Sequence, residues 1–150
     1  MSSLRLRYSG FTLTELMIVV SIIGILASIA IPKLADMVRK AEEGQTKGSL
    51  GAIRSALNIY YADMEGQYPW VDFSALTING KYLTAIPVAR LPPYHQDSSA
   101  RQVWNTFAGN PIPDAGGWIY MADPTIQGML GQVYLNCVHT DSKGTVWSSY

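Results

Sequence analysis

Residues 16–31 form a block of sixteen positions without a formal charge, in which only Ser21, Gly24 and Ser28 interrupt the hydrocarbon. As a helix, such a block rises about 24 Å, and residues 11–35 together rise about 37 Å, against a bilayer hydrocarbon core of about 30 Å. The segment is long enough to cross a membrane. Two simple readings follow. One is a secretory signal peptide, with Arg5 and Arg7 as its charged region and Ser28-Ile29-Ala30 as a small-x-small cleavage site. The other is a plain membrane anchor. Basic residues hardly decide its orientation, because Arg5, Arg7 and the terminal amine on one side face Lys33, Arg39 and Lys40 on the other. Glu15 fits neither reading. A carboxylate in a spanning segment costs about 2.5–3.5 kcal/mol at the centre and less near the end, and such a residue is expected to have a partner. The neighbouring sequence offers no obvious one.

Outside this block the chain reads as a modest polar domain. Its 150 residues suit one domain, and the low charged fraction of 15% reflects the apolar block. Eleven basic and eleven acidic residues cancel, and no Lys/Arg run exists, which argues against nucleic acid as a partner. Four Trp, nine Tyr and three Phe can bury a core, which excludes a disordered chain. The single cysteine, Cys137, excludes an intramolecular disulfide and any multi-cysteine zinc site.

The string Gly10-Phe11-Thr12-Leu13-Thr14-Glu15-Leu16, followed by the apolar run and Pro32, resembles the class III signal of type IV prepilins and type II secretion pseudopilins. The resemblance implies that a membrane prepilin peptidase/methyltransferase cuts after Gly10 and N-methylates Phe11, so that the apolar helix is kept. It divides the chain into a leader (1–10), a transmembrane and filament-core helix (11–35), the periplasmic half of the spine helix (36–66) and a loop-rich head (67–150). It further implies a single-pass inner-membrane protein with a periplasmic head. Such a protein contacts lipid, polymerises with itself, and works with minor pseudopilins, an inner-membrane assembly platform and its ATPase. It is a structural subunit and not an enzyme. The tracts 60–69 and 81–87 are most similar to the major pseudopilin, which favours a secretion pseudopilus. A type IV pilus subunit for adhesion or motility, or a membrane-tethered periplasmic binding domain, are the alternatives.

Within this frame Glu15 gains a role. After cleavage the Phe11 amine lies four residues from the carboxylate, within one helical turn. A pair within one subunit would satisfy both charges but give no reason to assemble, whereas a pair between subunits rewards assembly and sets its axial step. The resemblance supports the second. Gly24, without a side chain, and Pro32, without an amide donor, bound the stretch of weakest helical bonding, which is expected to extend in a filament.

The remaining chain predicts an α+β fold, a long amino-terminal hydrophobic helix packed on a small carboxy-terminal antiparallel sheet. Leu50, Ile53, Leu57, Tyr60 and Met64 recur at helical spacing as an apolar stripe, with Lys47, Arg54, Ser55 and Asn58 on the opposite face. Gly44, Gly48 and Gly51 suggest a bend. Asp63-Met64-Glu65-Gly66 before Tyr68-Pro69 reads as a helix stop, and the whole helix would measure about 80 Å. A short helix is expected at 72–76 and a turn at Asn79-Gly80, with prolines keeping residues 68–113 loop-rich. Two strands, 117–121 and 132–136, form a hairpin across the loop 123–131, and Thr145-Val146-Trp147 makes a last extended piece.

Catalytic motifs are missing: there is no Gly-x-Ser-x-Gly, no Gly-Lys-Ser/Thr loop and no His-Glu-x-x-His. Cys137, His139 and Asp141 alternate, so on a strand they would share one face and could hold a soft metal. Three ligands make a minimal site, and a lone thiol beside a surface imidazole is the simpler reading. The pseudopilin resemblance raises calcium in the carboxy-terminal loop, for which Asp123, Asn136 and Asp141 are the oxygen candidates. The sequence departs from that pattern in lacking an acidic cluster, and a turn held by Asp141 and Ser142 is the alternative. No cofactor is required.

Overall fold

A computed structural model describes residues 10–104, 112–122 and 129–150. The chain divides into two compact units, Met1–Val38 and Arg39–Tyr150. Helix α1 (Leu13–Asp63) contributes to both.

In the first unit α1 buries almost nothing. Every Leu, Ile, Val and Met from Leu13 to Val38 is exposed, from 45% at Val19 to 76% at Leu13. In the second unit the helix has a buried face at Leu50, Ile53, Ala56 and Leu57, as the stripe predicts. Met64 departs from that stripe because α1 ends at Asp63, and its side chain is exposed. The stop is a Schellman closure, in which the Gly66 amide donates to the Tyr61 carbonyl at 2.9 Å. The left-handed turn begins one residue earlier than glycine, at Glu65 (φ 52°), before Gly66 (φ 87°). Gly44, Gly48 and Gly51 lie inside α1 without a break in the helix. Burial of Glu43, Thr46, Leu50 and Ile53 on the other face holds the helical path through them.

The sheet has three strands, β1 (Arg101–Trp104), β2 (Trp118–Met121) and β3 (Val133–Leu135), in that spatial order. The expected hairpin is present: β2 and β3 pair antiparallel, Trp118 opposite Leu135 and Tyr120 opposite Val133. β1 adds a parallel pairing to β2, Arg101 opposite Trp118, inside a tract that the sequence presents as loop. All four β2 residues are buried, as a central strand covered on both faces should be. At the entry to β2, Gly117 (φ 76°) comes so close to β1 that a Cβ would sit 2.5 Å from the Ala100 carbonyl oxygen, so this position admits only glycine.

Long side chains fasten loops to this core. The Trp118 indole donates to the Pro87 carbonyl at 2.8 Å, and the Tyr120 hydroxyl to that of Pro69 at 2.7 Å. The short helix expected near residue 72 is a 3-10 helix, Phe73–Gly80, capped by Asp72, whose carboxylate accepts from the Ser74 amide at 2.8 Å. Of the last extended piece, Val146 pairs with Thr140, while Trp147–Ser149 turns into a 3-10 helix. The architecture is α+β.

Candidate functional site

The amino-terminal site begins at an open junction. Gly10 and Phe11 are exposed, Phe11 by 80%. Among the described residues, nothing lies within 4 Å of a Cβ built on Gly10. Thr12 then caps α1. Its hydroxyl accepts from the Glu15 amide at 3.2 Å, and Glu15 Oε2 accepts from both the Thr12 amide and the Thr12 hydroxyl at 2.8 Å. This reciprocal arrangement is a capping box, Thr-x-x-Glu, and it satisfies amides that a helix start leaves open. Glu15 therefore has a local partner after all. It is a neutral one, which orients the carboxylate toward residue 12 without cancelling its charge. Further along, Gly24 and Pro32 are both within α1; the Ser21 and Ser28 hydroxyls donate back to the Met17 and Ile25 carbonyls at 2.8 and 2.7 Å.

A second set of polar side chains ties α1 to the head. Glu43 accepts from the Ser142 amide at 3.0 Å and from its hydroxyl at 2.5 Å. Thr46 exchanges hydrogen bonds with the Arg90 backbone, accepting from its amide at 2.8 Å and donating to its carbonyl at 2.7 Å. Lys47 donates to Asp141 Oδ2 at 2.5 Å and to the Tyr150 hydroxyl at 2.7 Å. Arg54 donates to the Val133 and Tyr150 carbonyls at 2.8 and 2.7 Å. Lys47 and Arg54 thus leave the solvent face on which the sequence pattern put them; Ser55 and Asn58 remain exposed.

Asp141 is the centre of this set. Its second oxygen accepts from the Lys143 and Thr145 amides, both at 2.9 Å, forming the side-chain-held turn. Burial works against its charge, but the Lys47 and Tyr150 hydrogen bonds and the two amides hold the carboxyl well below the usual carboxylate range. For Lys47, burial pulls downward, and the bonds to Asp141 and Tyr150 outweigh it, so the ammonium is held above its ordinary value. With four donors on its two oxygens, Asp141 could bind calcium only by giving some of them up. Asn136 sits just beyond β3, buried, its Nδ2 donating to Gln102 Oε1 at 2.8 Å. Asp123 lies outside the described residues.

Cys137 and His139 do come together, but without Asp141. Their companions are His95 and Asp114, and the four potential ligand atoms all lie within 4.8 Å of one another. Cys137 is fully buried, and burial pushes its thiol up to about 11.

With this geometry in view, residues 5–31 match the prokaryotic N-terminal methylation motif. Over its amino-terminal part the chain is similar to pilins and to a type II secretion protein. Its similar proteins include the fimbrial protein EcpC of Eikenella corrodens, 41% identical over 53% of this chain and 54% of that protein. The type II secretion system core protein G of Aeromonas hydrophila is 41% identical over 42% of this chain and 43% of its own length. The type IV major alpha-pilin of Moraxella bovis is 47% identical over 40% and 36% respectively. The chain thus spans about half or less of the length of these relatives. No solved structure matches it.

Two features of the chain were missed in the sequence reading, though the first had a signal there. The capping box was visible as Thr12-Leu13-Thr14-Glu15, a Ser/Thr-x-x-Glu string ahead of an apolar run. The four-group cluster had no comparable signal, because His95 and Asp114 reach Cys137 only through the tertiary fold.

Proposed function

We propose that the chain is the subunit of a pilin-type filament, held in the inner membrane by the first part of α1 with its head in the periplasm. The observation that carries this reading is a helix with every large apolar side chain uncovered over Leu13 to Val38, most of it lying inside the N-terminal methylation motif of residues 5–31. Ten Leu, Ile and Val residues in the uncharged block favour insertion by about 3–6 kcal/mol, which exceeds the cost of a carboxylate near the segment's end. Gly10 is the residue after which the prepilin peptidase cuts before methylating Phe11, a role supported by the motif match over residues 5–31.

Glu15 is the assembly residue, with Gly24 and Pro32 bounding the stretch that adapts to neighbouring subunits. In the uncut chain the capping box folds the carboxylate back onto residue 12, one position from the future amine. Assembly then transfers Glu15 to the Phe11 amine of another subunit, where two charges costly in hydrocarbon neutralise each other. Glu15→Gln and Glu15→Ala separate charge from capping, since glutamine retains an acceptor for the Thr12 amide. Both variants are expected to insert and be cleaved to a chain beginning at methylated Phe11, read by mass spectrometry, and both to be absent from sheared or cross-linked multimers. Assembly by Glu15→Gln at the wild-type level would reduce Glu15 to a helix cap and remove this mechanism. A mature terminus at Ile31 would establish a secretory signal instead.

The filament we favour is the pseudopilus of a type II secretion system, working with minor pseudopilins, an assembly platform and its ATPase. The similarity to core protein G and the single cysteine support it. A type IV pilus is the second reading, favoured by the 83-residue match to a fimbrial protein. Deletion of the gene distinguishes them: loss of exoprotein release with surface fibres intact marks the pseudopilus, and the converse marks the pilus.

A further inference from the structure

We propose that His95, Asp114, Cys137 and His139 form a closed tetrahedral site for Zn²⁺ in the head. Three separate segments converge on it: His95 ahead of β1, Asp114 ahead of β2, and Cys137 with His139 beyond β3. Among their contacts, His95 Nε2 lies 3.0 Å from Asp114 Oδ1, His139 Nδ1 lies 3.4 Å from the same oxygen, and Cys137 Sγ lies 3.6 Å from His139 Nδ1. With zinc–nitrogen and zinc–oxygen bonds near 2.0–2.2 Å and zinc–sulfur near 2.3 Å, tetrahedral geometry requires ligand separations of about 3.3 Å for nitrogen to oxygen and about 3.6 Å for nitrogen to sulfur. The 3.4 and 3.6 Å distances already match those edges, and the 3.0 Å one is short of its edge by about 0.3 Å. The widest separation, 4.8 Å, closes with side-chain movement of about 1 Å.

The supports around the cluster are those that a metal site needs. The Val138 amide donates to Asp114 Oδ1 at 3.0 Å and orients the carboxylate. The Tyr94 ring stacks on His139 with centroids 4.1 Å apart and an interplanar angle of 9°, fixing the imidazole plane. Asp114 itself adopts φ 56°, a conformation uncommon for a residue with a side chain, and thereby presents its carboxylate to the histidines. Without a metal the shared partner is Asp114, whose carboxylate lies beside both imidazoles and the Cys137 thiol. A metal ion satisfies all four together.

The donor set selects the ion. Two imidazoles, one thiolate and one carboxylate suit zinc and discriminate against calcium and magnesium, which take oxygen. Four protein ligands leave no open position, so the site is structural and clips the three segments together. On binding, Zn²⁺ displaces the Cys137 thiol proton to solvent and the sulfur binds as thiolate.

The test uses the untagged full-length chain in detergent micelles, titrated with Co²⁺ as a spectroscopic probe and then with Zn²⁺ in competition. One equivalent of Co²⁺ is expected to give a thiolate-to-cobalt charge-transfer band and d–d bands of tetrahedral intensity, both removed by Zn²⁺. Cys137→Ser should abolish the charge-transfer band. His95→Ala and Asp114→Asn, at partly exposed positions, should each weaken Co²⁺ binding by more than about 10-fold. Zn²⁺ should raise the melting temperature of the wild type but not of Cys137→Ser. Octahedral spectra without charge transfer, or a charge-transfer band that survives both His95→Ala and Asp114→Asn at wild-type affinity, would overturn the site. Binding of copper with neither cobalt nor zinc would overturn the metal assignment.

Discussion

Asp141 shows how much one carboxylate can organise. It neutralises Lys47, accepts from Tyr150 and closes its own turn, with its side chain fully buried and Lys47 about a quarter exposed. Removing one partner of such a pair leaves the other uncompensated, at a cost of about 3 kcal/mol, the low end for buried pairs because water still reaches Lys47. Asp141→Asn should lower the stability of the head by that amount at neutral pH, measured by urea unfolding. The pH dependence follows from the direction of the shift. A folded value below the unfolded one of about 3.9 means that the contribution is complete above that value and disappears as pH falls through it toward the depressed folded value. The acid limb of the wild-type stability curve should therefore flatten in Asp141→Asn; an unchanged limb would assign acid sensitivity to other carboxylates. From sequence, the turn at Asp141 was legible as an Asp-Ser-Lys-Gly string, whereas its counter-ion was not, because Lys47 is 94 residues away.

At the level of elements, α1 was legible through its periodicity, and its end through the Glu65-Gly66 pair. Its polar bonds to the head were not. Lys47 and Arg54 look like solvated residues on a wheel, and only the fold brings Asp141 and the Val133 carbonyl to them. β1 was equally hidden: Arg-Gln-Val-Trp has no alternation of apolar and polar residues, and it is defined by its parallel pairing to β2. The glycines of α1 allow a prediction here. Gly44, Gly48 and Gly51 are exposed, and none would bring a Cβ within 4 Å of a neighbour. Replacing each with alanine should stabilise the isolated subunit by about 0.5–1 kcal/mol. Denaturant midpoints measure this, and a fall would show that the subunit itself needs those glycines. Midpoints that rise while filament yield drops would place the stripe against another copy.

For the molecule as a whole, the apolar block and the family motif were the strongest signals, and they describe a surface that the subunit alone leaves uncovered. In the proposed filament, that surface meets lipid before assembly and other copies after it. Residues 24–32 are helical in the subunit. Pro32 cannot donate and Gly24 favours the unfolded backbone, so neighbouring helices in a filament should draw this stretch into an extended form. A filament map is the measurement, and unbroken helix across residues 27–31 would refute it.

The hydrogen bonds from α1 into the head also have a temporal meaning. Arg54, Lys47 and Glu43 reach partners 79, 94 and 99 residues later in the chain. Contacts so distant in sequence close large loops and form slowly. During synthesis, amino-terminal end first, the helix is complete long before Val133, Asp141 and Ser142 exist to receive it. The head therefore stays open while most of the chain is being made, and the proposed passage of the head across a membrane would find this delay already written in the order of the residues.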